Sequence, residues 1–386
     1  MIWLTMLIPI FTIAVLLLFF HAKVVWWEHL IILLSPIVII FACQEIGAKS
    51  VTQDVEYWGS YAVEARHYEH WNEKVSCRHP KYVTKASGKD SRGNTIYEEV
   101  QVGYKHFYDV DEHPEYWKVY DNINNSYIIS KSKFIIYTTK WKNKKLVDMN
   151  RDFYNVDGNM HSTRFTGEEE VLDPIVSMHA YENRVQASDS IMNFPDVERP
   201  EDYGLYEYPK GYLYLPSILG DCPDKDKANR ILDIANAKMG STKQVRIWFL
   251  IFNGQSMDSA IQQQNYWKGG NKNELIVCIG LDKEKRVSWC YPFSWTTSDI
   301  LIANVKYEAM GMGKFDAVKL SNYAIEQVNK HWVRREFEEF SRLKIKMPPH
   351  MVIASLVLTL IANILTAWYV VANEITDDNI KRRRRR

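Results

Sequence analysis

Apolar residues are concentrated at the two ends of the chain, and a long, mostly polar section separates them. The apolar segments cover residues 3–20, 24–43 and 351–372. About 20 consecutive apolar residues are enough for a helix to cross a bilayer. The pattern therefore predicts two transmembrane helices within residues 1–46 and a third over residues 350–373.

Each N-terminal segment has an alternative interpretation. A cleaved signal peptide would place a basic region before the first apolar stretch and a small-x-small cleavage site after it, and the chain has neither. The second segment is apolar from Leu30 to Cys43, and it reaches spanning length only by including Val24–Trp27 across Glu28 and His29. A helix lying in the membrane interface therefore remains its alternative.

Residues 48–205 have the composition of β-strands. The run from Tyr127 to Trp141 is rich in β-branched and aromatic residues, which favour strands. The segment predicts a β-rich domain of short antiparallel strands, arranged as a sandwich or a partly open barrel. Turn signals recur at Gly93-Asn94, Asn124-Asn125, Asp157-Gly158 and Thr166-Gly167.

After Pro216, helical spacing of apolar residues alternates with short continuous apolar runs. This order predicts an α/β domain over residues 211–346. The fold class is therefore an α+β membrane protein, with N-terminal transmembrane helices, a β-rich soluble domain, an α/β domain and a C-terminal transmembrane helix. The predicted helices are 225–239, 257–267, 298–311 and 315–343, and the predicted strands are 245–252, 275–281 and 287–291.

Charge indicates the partners and the orientation. The formal net charge of the 386 residues is +1, which gives no reason to expect a nucleic acid as partner. Residues 374–386 form a tail that ends in Lys381 and Arg382–Arg386, and such a basic block resists translocation. We therefore expect a cytoplasmic tail and a body outside the cytoplasm, in a bacterial inner or cell membrane. The expected partners are the lipid bilayer and other membrane or envelope proteins, and oligomerisation remains open.

Several motifs of the α/β region occur in a recognisable order. Leu219–Asp221 precedes the first helix, Val245–Leu250 forms an apolar strand, and Gly313–Ala317 precedes the last helix. The most specific stretch is Tyr266–Val277, which reads Tyr-Trp-Lys-Gly-Gly-Asn-Lys-Asn-Glu-Leu-Ile-Val. Residues 215–338 thereby resemble the TPM domain family. The resemblance implies an α/β domain that is held outside the cytoplasm by a membrane tether.

The resemblance also implies candidate acidic residues. Asp282, Asp299 and Asp316 correspond to positions near the strand ends, where loops would bind a divalent cation such as calcium. Ordinary turn and helix-cap residues are the alternative. Family members with proposed phosphatase activity carry a glycine loop after the hairpin, whereas this chain has Cys290–Trp295, with a proline and bulky aromatic residues. These residues block the close backbone approach that a phosphate needs, so the departure weakens the phosphatase inference.

A second metal candidate lies in the β-rich region. His67, His70, Cys77 and His79 have the spacing His-x-x-His-x6-Cys-x-His. Imidazole and thiolate are the ligands that zinc prefers, and four of them would close a structural site. The spacing matches no standard zinc finger, so polar surface residues are the alternative.

Cys278 and Cys290 are symmetric about the turn Asp282–Lys285. A tight hairpin with that register would place the two cysteines opposite each other, within disulfide reach. We therefore predict a disulfide between them, with two separate buried thiols as the alternative.

These observations favour one function over another. The leading hypothesis is a membrane-tethered extracytoplasmic interaction or scaffold protein with a TPM-like domain. The alternative is a phosphatase that uses Asp282 and Asp299 to hold its metal. Enzymatic activity stays undecided, and the sequence favours its absence, because no nucleophile motif, Walker loop or dinucleotide fingerprint occurs in the chain.

Overall fold

The computed structural model describes residues 2–20, 24–89, 91–149, 154–188 and 194–373. The basic tail at residues 374–386 lies outside the described residues. The α-helices are α1 (Leu7–Phe19), α2 (Trp26–Thr52), α3 (Lys131–Trp141), α4 (Lys225–Gly240), α5 (Asp258–Tyr266), α6 (Asp299–Gly311), α7 (Ala317–His331) and α8 (Pro349–Asn373). The strands are β1 (Gln53–Tyr68), β2 (Trp71–Ser76), β3 (Pro80–Lys89), β4 (Thr95–Tyr104), β5 (Tyr108–His113), β6 (Tyr116–Asp121), β7 (Ser126–Ile129), β8 (Lys145–Val147), β9 (Met160–Arg164), β10 (Pro174–Glu182), β11 (Ile218–Leu219), β12 (Arg246–Asn253), β13 (Glu274–Leu281) and β14 (Val287–Ser294).

Two of the described helices, α2 and α8, are long and apolar enough to cross a membrane. The apolar helix at residues 4–19 is shorter. Large apolar side chains of α1 and α8 face outward, including Phe11, Leu18 and Leu358. Helix α2 also runs to Thr52, beyond the end at residue 46 that the sequence predicts. These features give weak support to an association with a membrane.

The two long helices are antiparallel neighbours. Near the body, Ile40 and Cys43 of α2 pack with Met347 and Met351, and Leu16, Ile32 and Val370 form a second cluster further along the helices. Helix α2 ends where β1 begins, and α8 starts where the body ends. The body therefore joins both helices at the same end of the bundle.

A polar stripe on α8 is buried inside this bundle. Ser355, Thr359 and Asn363 repeat every four residues and are fully buried. The Asn363 side chain donates a hydrogen bond to the Thr359 carbonyl oxygen at 3.0 Å. Polar side chains at such positions commonly hold neighbouring membrane helices together, so the stripe identifies the face of α8 that packs on the other helices.

The long strand β1 organises the β-rich region. Its first half pairs with β10, and its second half pairs with β6 on one edge and β9 on the other, all antiparallel. Strands β7 and β8 extend the sheet to the order β7-β6-β1-β9-β8. Because α2 leads directly into β1, this sheet starts at the end of the body that joins the two long helices.

The strand predicted over Tyr127–Trp141 is wrong after Ile129. Residues from 131 onward form α3, and the Ser130 hydroxyl caps this helix by accepting the Lys133 backbone N–H at 3.2 Å. Phe134, Tyr137 and Trp141 are buried at helical spacing. Because the composition of this segment favours strands, the helix was not predicted from the sequence.

The α/β region contains a four-stranded sheet in the order β11-β12-β13-β14. The first three strands are parallel and β14 is antiparallel to β13. Alternate residues of β12 face two different cores, with Phe249 in the core beneath α4, α6 and α7 and Trp248 in the core on the other face. Such full burial on both faces explains the continuous apolar run in the sequence.

The helix predicted over residues 315–343 is too long. Helix α7 ends at His331, and a separate 3₁₀ turn covers Phe337–Phe340. After the helix ends, Arg334 reaches the β-rich region, where it forms an ion pair with the buried Glu56 at 2.7 Å. This nonlocal contact lies outside what local helical spacing reveals.

The β-rich and α/β regions pack closely against each other. Gly59 of β1 lies against the backbone of α4, so close that an added Cβ would come within 2.1 Å of the Asn236 carbonyl oxygen. The Asn273 side chain donates to the Tyr57 carbonyl oxygen at 2.8 Å. The two regions are therefore joined by buried contacts as well as by the chain connection.

A long hairpin, the arm (residues 71–113), extends from the β-rich region. Its base is the pair β2–β5 and its outer part is the pair β3–β4. Nearly every residue of β3 and β4 is exposed. The outer part thus consists of two strands without a core of their own.

Candidate functional site

The candidate site lies where the paired strands of the arm come apart. Ser76 pairs with Tyr108 in the inner ladder, and Pro80 pairs with Tyr104 in the outer ladder. The pairs on either side of the break have the same register, so the interruption covers three residues on each strand. Residues 77–79 and 105–107 form this break, and the Lys105 N–H donates to the His79 carbonyl oxygen across it at 2.9 Å.

Four metal-ligating side chains converge at the break. Ligand atoms of Cys77, His79, His106 and Asp109 all lie within 4.8 Å of one another. Asp109 Oδ1 is 3.2 Å from His79 Nδ1 and 3.1 Å from His106 Nδ1. The His79 backbone N–H points at Cys77 Sγ from 3.4 Å. Cys77 is buried and both histidines are exposed, so the group is open to solvent on one side.

The electrostatics of this group favour a cation. The Arg78 backbone N–H donates to Asp109 Oδ2 at 2.6 Å, and this bond is the main cause that lowers the pKa of Asp109. The Arg78 guanidinium pairs with a different carboxylate, that of Asp111, at 2.5 Å. Asp109 therefore keeps a negative charge, with Oδ1 directed at the two imidazoles.

The structure brings together two of the four residues that the sequence predicts as a zinc site. Cys77 and His79 belong to the group at the break. His67 lies in β1, where it stacks on Trp117 at 5.0 Å and contacts Glu115 at 3.1 Å. His70 lies between β1 and β2. The structure does not bring the predicted set together, because the strand–turn–strand path separates the first two histidines from the other residues.

His106 and Asp109 are the members that the sequence prediction missed. They follow Cys77 by about thirty residues in the chain, and the hairpin pairing returns them to the same place. The signal that points to them is the turn at Gly93-Asn94, because the Cys-x-His and His-x-x-Asp pairs are nearly symmetric about it.

The acids implied by the TPM resemblance do not meet. Asp282 follows the end of β13, whereas Asp299 starts α6 after β14 has returned to the start of β13. An eight-residue strand is about 25 Å long, so the two carboxylates are separated by roughly that distance. The backbone N–H of Arg286 lowers the pKa of Asp282, and its guanidinium pairs with the same carboxylate at 2.9 Å. Asp316 caps α7 through the Lys319 N–H.

Cys278 and Cys290 also remain apart, and all five cysteines are free. The predicted register holds next to the turn, where Leu281 pairs with Val287. A bulge then shifts it by one residue, so that Cys278 faces Tyr291. A one-residue shift moves a side chain to the other face of the sheet. The cysteines accordingly lie in different cores, and the predicted disulfide is wrong.

A fully buried carboxylate lies in the α/β region. Burial raises the pKa of Glu274, which accepts hydrogen bonds from the Tyr208 hydroxyl, the Trp248 ring N–H at 2.9 Å and the Asn271 backbone N–H at 2.8 Å. Its side chain is fully buried. A carboxylate that is saturated with donors and closed to solvent organises a core, so we assign it a structural role.

The outer arm presents two different faces. The register pairs Pro80 with Tyr104, Tyr82 with Gln101, and Ala86 with Tyr97, which places the three tyrosines on one face. Tyr82 is 54% exposed, Tyr104 is 58% exposed and Tyr97 is 66% exposed. The other face carries Val83 opposite Val100. Exposed apolar clusters of this kind are typical of interaction surfaces.

Comparison with known proteins adds no relative: no family model, no curated protein and no solved structure matches the chain. The resemblance of residues 215–338 to the TPM domain family therefore stays a prediction.

Proposed function

We propose that this protein is a membrane-anchored interaction protein that presents its arm to another membrane or envelope protein. The single observation that carries the proposal is the face of three exposed tyrosines on a hairpin without a core of its own. Tyrosine is enriched at protein interfaces because one ring offers a large apolar area and a hydroxyl group. A two-stranded hairpin is marginally stable alone, and a bound partner would stabilise it.

The position of the arm favours a protein partner over the bilayer. Strand β1 starts directly after α2 and has sixteen residues before the arm begins. Such a strand is about 50 Å long. The arm therefore follows the C-terminal end of β1, whereas α2 precedes its N-terminal end. At that position the arm is available to a neighbouring protein.

The anchor consists of α2 and α8, with α1 as a third span that packs on both. In this arrangement the body occupies one side of the bilayer and the basic tail the other. The tail charge favours the cytoplasm for the tail, and the body then lies outside it. Binding rather than turnover is the proposed activity, since the acidic residues that the alternative enzyme would need are far apart.

Site-specific photo-crosslinking in intact cells tests the proposal. A photo-reactive benzoylphenylalanine replaces Tyr97 or Tyr104 on the arm, and Tyr307 on α6 serves as the matched control. Tyr307 is also an exposed tyrosine, at 74%. The arm positions should give a discrete adduct on irradiation, and the control position should give none.

The mass of the adduct identifies the kind of partner. An adduct at twice the chain mass means that a second copy occupies the arm, and any other discrete mass means a different protein. The proposal fails if neither arm position gives a protein adduct, or if Tyr307 gives the same adduct with equal yield.

A further inference from the structure

The donor set at the break of the arm fits one class of metal ion. One thiolate, two imidazoles and one carboxylate are four ligands of the kinds that bind Zn²⁺ in tetrahedral sites. Calcium and magnesium prefer oxygen ligands, and only one of these four side chains supplies oxygen. The thiolate and the carboxylate together carry two negative charges, which a divalent cation neutralises.

The distances between the four ligand atoms have to decrease slightly when a zinc ion binds. Tetrahedral Zn²⁺ with bonds of about 2.0–2.3 Å places its ligand atoms roughly 3.3–3.8 Å apart. The four ligand atoms lie within 4.8 Å of one another, and Asp109 Oδ1 is already 3.2 Å from His79 Nδ1. A contraction of about 1 Å is within the reach of exposed imidazole side chains.

Neighbouring groups orient the ligands. The Arg78 backbone N–H holds Asp109 Oδ2 at 2.6 Å, which leaves Oδ1 for the metal. The His79 backbone N–H points at the Cys77 sulfur from 3.4 Å, as donors around metal thiolates do. Cys77 itself is buried although most of the outer arm is exposed.

We propose that Cys77, His79, His106 and Asp109 bind a divalent transition-metal ion of the zinc class, which clamps the two strands of the arm across the break in their ladder. Two ligands come from each strand, so the ion connects the strands where regular pairing is interrupted. The ion thereby fixes the outer arm relative to its base. This inference does not depend on what the arm binds.

Metal binding by the purified full-length protein in detergent tests the inference. Zinc is titrated against a chromophoric chelator, and cobalt is then used as a spectroscopic probe. The wild type should bind one equivalent, and Co²⁺ should give thiolate charge-transfer absorption with the visible bands of a tetrahedral site. Cys77→Ser should remove the charge-transfer absorption, and His106→Ala should weaken zinc binding at least about 100-fold.

Two controls keep the test specific. Cys222→Ser removes another buried free thiol and should leave zinc and cobalt binding unchanged. Thermal unfolding should show that Cys77→Ser and His106→Ala keep a folded body, since both residues lie in the arm. A wild type that binds less than one equivalent, or binding that survives both arm substitutions, would overturn the inference.

A second readout addresses the clamp. Limited proteolysis should cut residues 105–107, where Phe107 is 99% exposed, faster after the metal is removed by a chelator. Readdition of zinc should restore the protection in the wild type and not in His106→Ala. Equal cleavage rates with and without metal would contradict the role as a clamp.

Discussion

A close backbone contact between the two regions of the body gives a quantitative test of how they are joined. Gly59 of β1 and Gly240 of α4 face each other, and a Cβ added to Gly59 would lie 2.1 Å from the Asn236 carbonyl oxygen and 2.9 Å from the Ala237 nitrogen. These neighbours are backbone atoms of a helix and have no rotamer that avoids the clash. In Gly59→Ala, β1 and α4 must therefore separate by about 1 Å, the kind of shift that overpacking forces.

Gly59→Ala should lower the free energy of unfolding by about 3 kcal/mol, which is at the upper end of the range for overpacking, because the helix backbone has to move. For a body of this size that corresponds to a fall of roughly 5–10 °C in the unfolding midpoint. Gly311→Ala is the matched control, since its added Cβ would have no neighbour within 4 Å. Its midpoint should stay within about 2 °C of the wild type, because small surface changes rarely exceed 0.5 kcal/mol.

Thermal unfolding of the purified protein, followed by circular dichroism and by tryptophan fluorescence, provides the measurement. Both probes should move together in Gly59→Ala, because the contact connects the β-rich sheet to the α/β sheet. A midpoint equal to that of Gly311→Ala would refute the close approach of β1 and α4.

Two further predictions concern buried polar and thiol groups. Glu274→Gln should lower the free energy of unfolding by about 1–3 kcal/mol, because an amide N–H₂ replaces one of two oxygens that accept hydrogen bonds from buried donors. The substitution of the exposed Glu338 by Gln is the control. Equal stability of the two variants would contradict the assigned hydrogen-bond network. Non-reducing peptide mapping should find Cys278 and Cys290 unlinked. Both should resist alkylation at pH 8 until the protein unfolds, since burial raises the pKa of the Cys290 thiol to about 12 and holds the pKa of the Cys278 thiol well above its ordinary value. Recovery of a Cys278–Cys290 peptide from the native protein would contradict the observed register.

Local patterns were sufficient to predict much of the α/β region. Helix α4 and strand β12 lie where the apolar spacing places them, because their side chains pack at regular intervals against one sheet. The same logic failed for α3, whose aromatic and β-branched residues favour strands in composition but are buried at helical spacing. Tertiary packing determines that this segment forms a helix and not a strand.

Only two of the four residues of the candidate site could be predicted from the sequence, because the geometry of the site depends on strand register. Cys77 and His79 are neighbours in the chain, whereas His106 and Asp109 reach them only through the pairing of the hairpin. A register shift of one residue likewise separated the predicted cysteine pair. A bulge has no reliable local signal, so both outcomes required the three-dimensional pairing.

Removal of the arm shows whether the arm holds the protein in its complex. Because Ser76 and Tyr108 are paired neighbours on opposite strands, an Asn-Gly turn can join them and delete residues 77–107 while keeping the base ladder. The apparent mass of the complex is then measured after gentle solubilisation of native membranes. We expect the wild type to migrate above its 45.3 kDa chain mass as a complex. The armless protein should keep its unfolding midpoint but migrate as the chain alone. A complex that survives deletion of the arm would show that the arm does not bind the partner.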